Sequence, residues 1–171
     1  MLEIKKAGIK DIELIQQLAH AIWPDAYGKI ISPGQLSYML NLIYSKDALT
    51  NQVENLHHQF IIVRENDHAV GFASYSPKHS GDATIYRLHK LYVLPNQQGK
   101  GTGKFLLNFI KEEIKQTGAK IIELNVNRHN KALHFYNKIG FSIAREEDID
   151  IGSGYFMNDF VMELRIMNYE L

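Results

Sequence analysis

The sequence predicts a mixed α/β (α+β) fold in which one central sheet is flanked by helices. Three observations predict it. After a short opening strand, apolar residues recur at helical spacing to about residue 54, then at strand spacing from Gln59. Helical segments return between the later strands, so helices interrupt the sheet in sequence. The chain has 171 residues, 45% apolar and 22% charged, enough for one buried core, and residues 1–171 read as a single domain. No repeat and no Pro/Gly/Ser linker divides it.

The opening strand lies near Glu3–Lys6. Asp11 is placed to cap a helix, with Ile12, Ile15, Leu18, Ala19 and Ile22 following at helical spacing. Trp23-Pro24 ends that helix, because the residue before proline avoids the α region. A second helix runs from about Gly34 to Tyr44, with Leu36, Met39, Leu40 and Ile43 in one stripe, and a third from Lys46 to Glu54. Gln59–Arg64 and Ala69–Ser76 are strands joined by the turn Glu65-Asn66-Asp67-His68. Thr84–Val93 is a longer strand whose poor alternation fits cover on both faces or a bulge. Pro95–Gly99 is a loop. Gly101–Gln116 is an amphipathic helix with Phe105, Leu106, Phe109, Ile110 and Ile114 facing inward, stopped by Thr117-Gly118. Lys120–Val126 is a strand, Asn130–Lys138 a helix, Gly140-Phe141 the start of another strand, and Tyr155–Arg165 the last one.

Composition excludes several classes of function. Nineteen basic residues balance nineteen acidic ones, whereas a protein that grips a nucleic-acid backbone is usually strongly basic. Cysteine is absent, which removes disulfides, thiolate metal sites and a cysteine nucleophile. The histidines have no helix-spaced pattern such as H-E-x-x-H, so no metal is expected. The N-terminus lacks an apolar signal core, and no apolar run approaches the roughly 20 residues that span a bilayer. The expectation is a cytoplasmic protein without a membrane or nucleic-acid partner. Oligomeric state is not legible in the sequence.

The strongest local signal is Gln97-Gln98-Gly99-Lys100-Gly101-Thr102-Gly103-Lys104, after a strand and opening a helix. Its glycines let backbone N–H groups approach a ligand, the helix N-terminus adds free donors, and Lys100 and Lys104 add charge. Together they predict a phosphate cradle. The P-loop pattern fails, since Gly99 and Gly103 enclose three residues and Phe105 follows Lys104. The dinucleotide pattern fails because Leu106 stands where the third glycine belongs. An ordinary glycine-rich turn before a helix is the competing reading.

Other segments accompany the turn. Leu91-Tyr92-Val93-Leu94-Pro95 precedes it, and Asn130-Lys131-Ala132 and Phe135-Tyr136-Asn137-Lys138-Ile139-Gly140-Phe141 follow. This combination resembles the GNAT superfamily of N-acetyltransferases, well over residues 84–165 and by element order before them. Leu88–Pro95 and Gly154–Glu163 further resemble the bacterial spermidine/spermine N-acetyltransferases of the PaiA type. The resemblance implies a mostly antiparallel sheet with a splay between two parallel strands. It implies acetyl-CoA as cofactor, its pyrophosphate on Gln98, Gly99, Lys100, Gly101, Thr102, Gly103 and Lys104. The backbone of Leu91, Tyr92 and Val93 would pair with the pantetheine arm like an added strand, with one amide near Tyr92 aimed at the thioester carbonyl. Asn125 would stand at the mouth of the splay, and Asn130 would cap its helix and reach the cofactor.

Acetyl transfer to an amine needs a neutral amine, a nearby thioester, oxyanion donors and a proton for the departing thiolate. The resemblance gives Tyr136 the last role, and a phenol of pKa near 10 suits it. The competing reading is a core aromatic beside Leu133, Phe135 and Ile139. Many relatives use a glutamate base on the strand before the bulge, but Tyr86–Lys90 holds no carboxylate. His89 is the base candidate there, with a backbone-bonded histidine as the alternative. Absence of cysteine favours direct attack in a ternary complex.

The acceptor is read from charge. Glu146 to Glu163 holds six acidic residues and no Lys or Arg, while Gly99–Lys138 holds eight basic residues and three acidic ones. The basic half suits cofactor phosphates. The acidic half, through Glu146, Glu147, Asp148 and Asp159, suits a cationic small-molecule amine such as spermidine or spermine, with Tyr27, Tyr38 and Tyr155 as aromatic faces. Solvated acidic turns are the competing reading. A protein N-terminus, a lysine or another small amine is the second acceptor class. A catalytically silent acyl-CoA-binding regulatory module is the reading from outside enzymes.

Overall fold

The computed structural model describes residues 1–166. Seven strands form one sheet in the order β1-β2-β3-β4-β5-β7-β6. Pairing is antiparallel at β1/β2, β2/β3, β5/β7 and β6/β7 and parallel at β4/β5. The chain divides into two compact units, one of Met1–Ser76 with Lys90–Ile110, the other of Pro77–His89 with Lys111 onward.

The first unit holds β1 (Leu2–Ala7), α1 (Ile12–Tyr27), α2 (Pro33–Tyr44), α3 (Lys46–Glu54) and β2 (Gln59–Glu65). It also holds most of β3 (His68–His79), the end of β4 (Asp82–Val93) and the first turns of α4 (Thr102–Lys115). Ser32 and Ser45 cap α2 and α3, their hydroxyls accepting from the N–H groups of Gln35 and Ala48. Phe60, Ile61, Ile62 and Val63 are all buried, so β2 shows no alternation.

Trp23-Pro24 does not end α1, which runs on to Tyr27 with Pro24 inside. A proline inside a helix costs about 3 kcal/mol. Continuing buries Trp23 and Tyr27, whose rings pack 4.5 Å apart, each worth about 1.5–3 kcal/mol. The sequence rule lost to that burial. In α4 the inward stripe is Leu106, Leu107, Ile110 and Ile114, whereas Phe105 is exposed. β4 alternates better than expected, with Tyr86, Leu88 and Lys90 buried between partly exposed neighbours. A lysine at an inward position had disguised the period.

The second unit holds the start of β4, β5 (Ile121–Asn127), α5 (Ala132–Ile139), β6 (Ser142–Gly152) and β7 (Tyr155–Arg165). Along β5, Ile122, Leu124 and Val126 are apolar and buried, and Glu123, Asn125 and Asn127 occupy the other face. The parallel ladder runs from Ile85↔Ile121 to Leu88↔Leu124 and ends there, although β4 continues to Val93 and β5 to Asn127.

Candidate active site

The glycine-rich turn belongs to the first unit. Gly99 and Gly101 have φ of +79° and +83°, the left-handed region that favours glycine. A Cβ on either would meet nothing within 4 Å, so the space over the turn is open. Thr102, Gly103 and Lys104 form the first turn of α4, and their N–H groups have no carbonyl partner among the described residues. Lys100 and Lys104 are exposed. Beneath the turn the buried Thr102 hydroxyl donates to the buried Gln97 Oε1 at 3.0 Å. Thr102 therefore offers its backbone, since its side chain is engaged inside. Gln97 locks the turn, and nothing in the sequence marked it.

The end of β4 is shaped by Gly71 on β3. A Cβ there would lie 2.8 Å from the Tyr92 carbonyl oxygen and 3.0 Å from a Val93 methyl. Any side chain would push Tyr92 and Val93 out of place. The Leu94 N–H donates to the Val70 carbonyl at 2.9 Å and fixes the same stretch. The Tyr92 hydroxyl lies 3.0 Å from that of Tyr27, inside a cluster with Trp23, Tyr44 and Phe72. Tyr27 is thus a buried core residue, while Leu91, Tyr92 and Val93 are partly exposed.

Tyr136 lies on α5 in the second unit, buried between Phe135 and Phe141 at ring distances of 5.1 and 5.4 Å. The motif around it explains its own geometry. Gly140 adopts φ +119°, its N–H reaching the Asn137 carbonyl, and the Phe141 N–H reaches the Tyr136 carbonyl at 3.0 Å. This is a Schellman stop, with Phe141 folding back on Tyr136. Asn130 Oδ1 accepts from the Ala132 N–H at 2.9 Å, but it is not the cap of α5, whose N-cap is Lys131. His89 is partly buried at the second unit's end of β4.

The same unit carries a charged network across one sheet face. Buried Glu123 takes Lys78 at 2.9 Å and Arg87 at 2.5 Å, with Arg145 at 3.7 Å. Burial pushes its carboxyl up, but these cations prevail and hold it below the usual range. Arg87 also donates to Asn125 Oδ1 at 2.7 Å. Asn125 Nδ2 faces Glu147 at 3.4 Å and Asp159 at 3.3 Å. Burial raises the Asp159 carboxyl, opposed by Asn125 and by the charge of Arg128. Glu146 and Asp148 lie on the other face of β6, and both pair with Arg128. The structure therefore brings Asn125, Glu147 and Asp159 together and separates them from Glu146 and Asp148. Tyr155 follows the Ser153-Gly154 turn, whose φ angles of +53° and +80° are those of a tight hairpin.

Residues 31–156 match the model of the acetyltransferase (GNAT) domain. The chain belongs to the GNAT family. It is 30% identical over 95% of its length to spermidine N(1)-acetyltransferase of Thermoplasma acidophilum, covering 96% of that protein. The PaiA N-acetyltransferase of Thermoplasma acidophilum, solved with coenzyme A, superposes with a TM-score of 0.80 at 28% identity, over 96% of this chain and 99% of that one. An L-amino acid N-acyltransferase of Escherichia coli is 28% identical over 62% of this chain and 63% of its own. The protein is an acetyl-CoA-dependent N-acetyltransferase with a mixed seven-stranded GNAT sheet. The turn fits the cofactor's phosphates: left-handed glycines, open space above them, unpaired N–H groups and two lysines.

A second group that the sequence reading missed lies in the first unit of this GNAT chain. Lys90 is 6% exposed, its Nζ 2.7 Å from Gln52 Oε1 and 5.4–5.6 Å from the ring centres of Phe60 and Tyr44. It forms no ion pair among the described residues, and burial lowers its pKa to about 7. His58, buried in part and near that charge, is lowered to about 4. A lysine on a strand carries no sequence signal of burial.

Proposed function

We propose that this GNAT acetyltransferase N-acetylates a polyamine of the spermidine class by direct attack. The observation that carries the acceptor is the 30% identity, across 95% of the chain, to a spermidine acetyltransferase. The carboxylates on β6 and β7 support it, since they suit a cationic amine.

Acetyl-CoA supplies the acetyl group as a thioester. Gln98–Lys104 would hold its phosphates, chiefly through backbone N–H groups and the two lysines. The β4 backbone at Leu91–Val93 would align its arm, held to shape by Gly71. Asn125, the first β5 residue beyond the parallel ladder, and Asn130, just before α5, would reach the cofactor. Tyr136 would give its phenolic proton to the departing sulfur. His89 is the base candidate on β4 for the acceptor amine. The cysteine-free chain suits one-step transfer within a ternary complex.

Thiol release from acetyl-CoA, followed with spermidine, spermine, putrescine, amino acids and short peptides, tests the reading. Polyamines should give the highest kcat/KM. Preference for an amino acid or a peptide N-terminus would overturn the polyamine assignment, and no amine-dependent release would overturn the catalytic reading.

A further inference from the structure

The carboxylates of β6 and β7 are not equivalent. Glu147 and Asp159 are register partners on neighbouring antiparallel strands, so their side chains share one sheet face. Like charges directly opposite destabilise a sheet unless something neutralises them. Glu147 has partial relief, because Arg145 Nε approaches its Oε1 at 2.9 Å. Asp159 has none of that kind. It is 4% exposed, and its one polar partner is the neutral Asn125 amide on Oδ2 at 3.3 Å. Its Oδ1 is buried with no hydrogen-bond partner.

The nearby cations make their hydrogen bonds to other groups, although the charge of Arg128 reaches Asp159. Arg87, from β4, gives its donors to Glu123 and Asn125. Lys78 lies on Glu123. Arg128, after β5, gives its two Nη groups to Glu146 and Asp148 and stacks 6.0 Å over the Phe160 ring. Asn125 contacts both acids with its Nδ2 at 3.3 and 3.4 Å, beyond the usual 2.7–3.2 Å range. The face therefore ends in a carboxylate pair that lacks one cation donor. It ends there beside Asn125, the first residue past the Leu88↔Leu124 end of the parallel ladder. Glu147, with about a third of its side chain exposed, is the member of the pair that meets solvent.

We infer that Asp159, with Glu147 at its rim, is the subsite that receives an ammonium group of the acceptor amine, and that Asn125 positions the two carboxylates. An ammonium brings three donors and one positive charge, which matches the unpartnered Oδ1 and the second carboxylate. The inference deepens the polyamine reading and rests on it. It also narrows that reading, because Glu146 and Asp148 lie on the other face and already share Arg128.

The test is Asp159→Asn, which keeps shape and removes the charge. Losing a charge-assisted hydrogen bond should raise the KM for spermidine about 10- to 100-fold, with the KM for acetyl-CoA unchanged. Glu147→Gln should act in the same direction with a smaller factor, and it decides the matter should Asp159→Asn not fold. Calorimetric titration of spermidine into parent and variant gives a readout without turnover, and the parent's binding should weaken in both. Unchanged spermidine KM and affinity in a folded variant would overturn the subsite. An equal fall in kcat for every amine, with KM unmoved, would overturn it too, since that pattern marks a packing role. If the parent binds spermidine through Asp159 but releases no thiol, the subsite stands and the catalytic reading falls.

Discussion

Replacing Lys90 by methionine should stabilise the protein, and more so at lower pH. The amine is buried against Tyr44 and Phe60 with Gln52 as its one polar partner, and its pKa is lowered to about 7. In the unfolded chain a lysine titrates near 10.4. Between the two values the unfolded state holds a proton that the native state has released. Native stability therefore rises with pH from about 7 to about 10.4, and the full cost of burying the charge is borne below pH 7. A gap of roughly 3.4 units at about 1.36 kcal/mol each caps that cost at about 5 kcal/mol. Methionine keeps the apolar stem and omits the amine. It also leaves Gln52 Oε1 without its donor, at about 1–3 kcal/mol. The variant should then be about 2–4 kcal/mol more stable than the parent at pH 6, and the advantage should vanish and reverse by pH 10. Urea unfolding of both proteins from pH 6 to pH 10 gives the difference curve. Above about pH 6.5 His58 does not contribute, because its lowering to about 4 costs stability only below that pH. A pH-independent difference, or a variant weaker at pH 6, would refute the reasoning.

Tyr136→Phe should leave melting temperature and acetyl-CoA affinity unchanged while lowering turnover about 10²-fold; equal turnover, with chemistry shown to limit the rate, would make Tyr136 a packing residue. Gly101→Asp should fold, since aspartate is favourable just before the α4 N-terminus, but at φ +83° it costs about 1–2 kcal/mol and sets a negative charge where phosphates are expected. Calorimetry should show its acetyl-CoA affinity falling well below that of Gly101→Ala, and equal affinities would remove the phosphates from this turn.

The parts of the site that sequence shows are those whose conformation demands a residue type. Gly99 and Gly101 sit at positive φ, and Gly140 closes α5, so the glycine-rich turn and the Phe-Tyr-x-x-x-Gly-Phe motif were legible. Strand and helix order was legible too, because burial follows the period of each element. Three things were not. Pro24 gave a local stop signal that the burial of Trp23 and Tyr27 overrode. Lys90 carries no sequence signal of burial, because that burial depends on α2, α3 and β2 closing over it. Gly71 carries no signal in the sequence, and only the approach of Tyr92 shows why no side chain fits.

Charge counting fared worst, for a physical reason. Glu146, Glu147 and Asp148 are consecutive, so a strand must send the middle one to the opposite face from its neighbours. Composition sees three negative charges in one place. The sheet sees two that meet Arg128 and one that meets Asp159. The same rule explains why β5 bears Glu123 and Asn125 between Ile122, Leu124 and Val126: alternate residues serve the core and the charged face. Glu123 gathers Lys78 and Arg87 and so withholds them from the pair beyond it, while Arg145 lies closer to Glu147 than to Glu123. Removing that sink would free Arg87 to turn toward Asp159. The buried Glu123 is thus what keeps the carboxylate pair short of a cation, and on the inferred subsite it would shape acceptor choice without touching the acceptor.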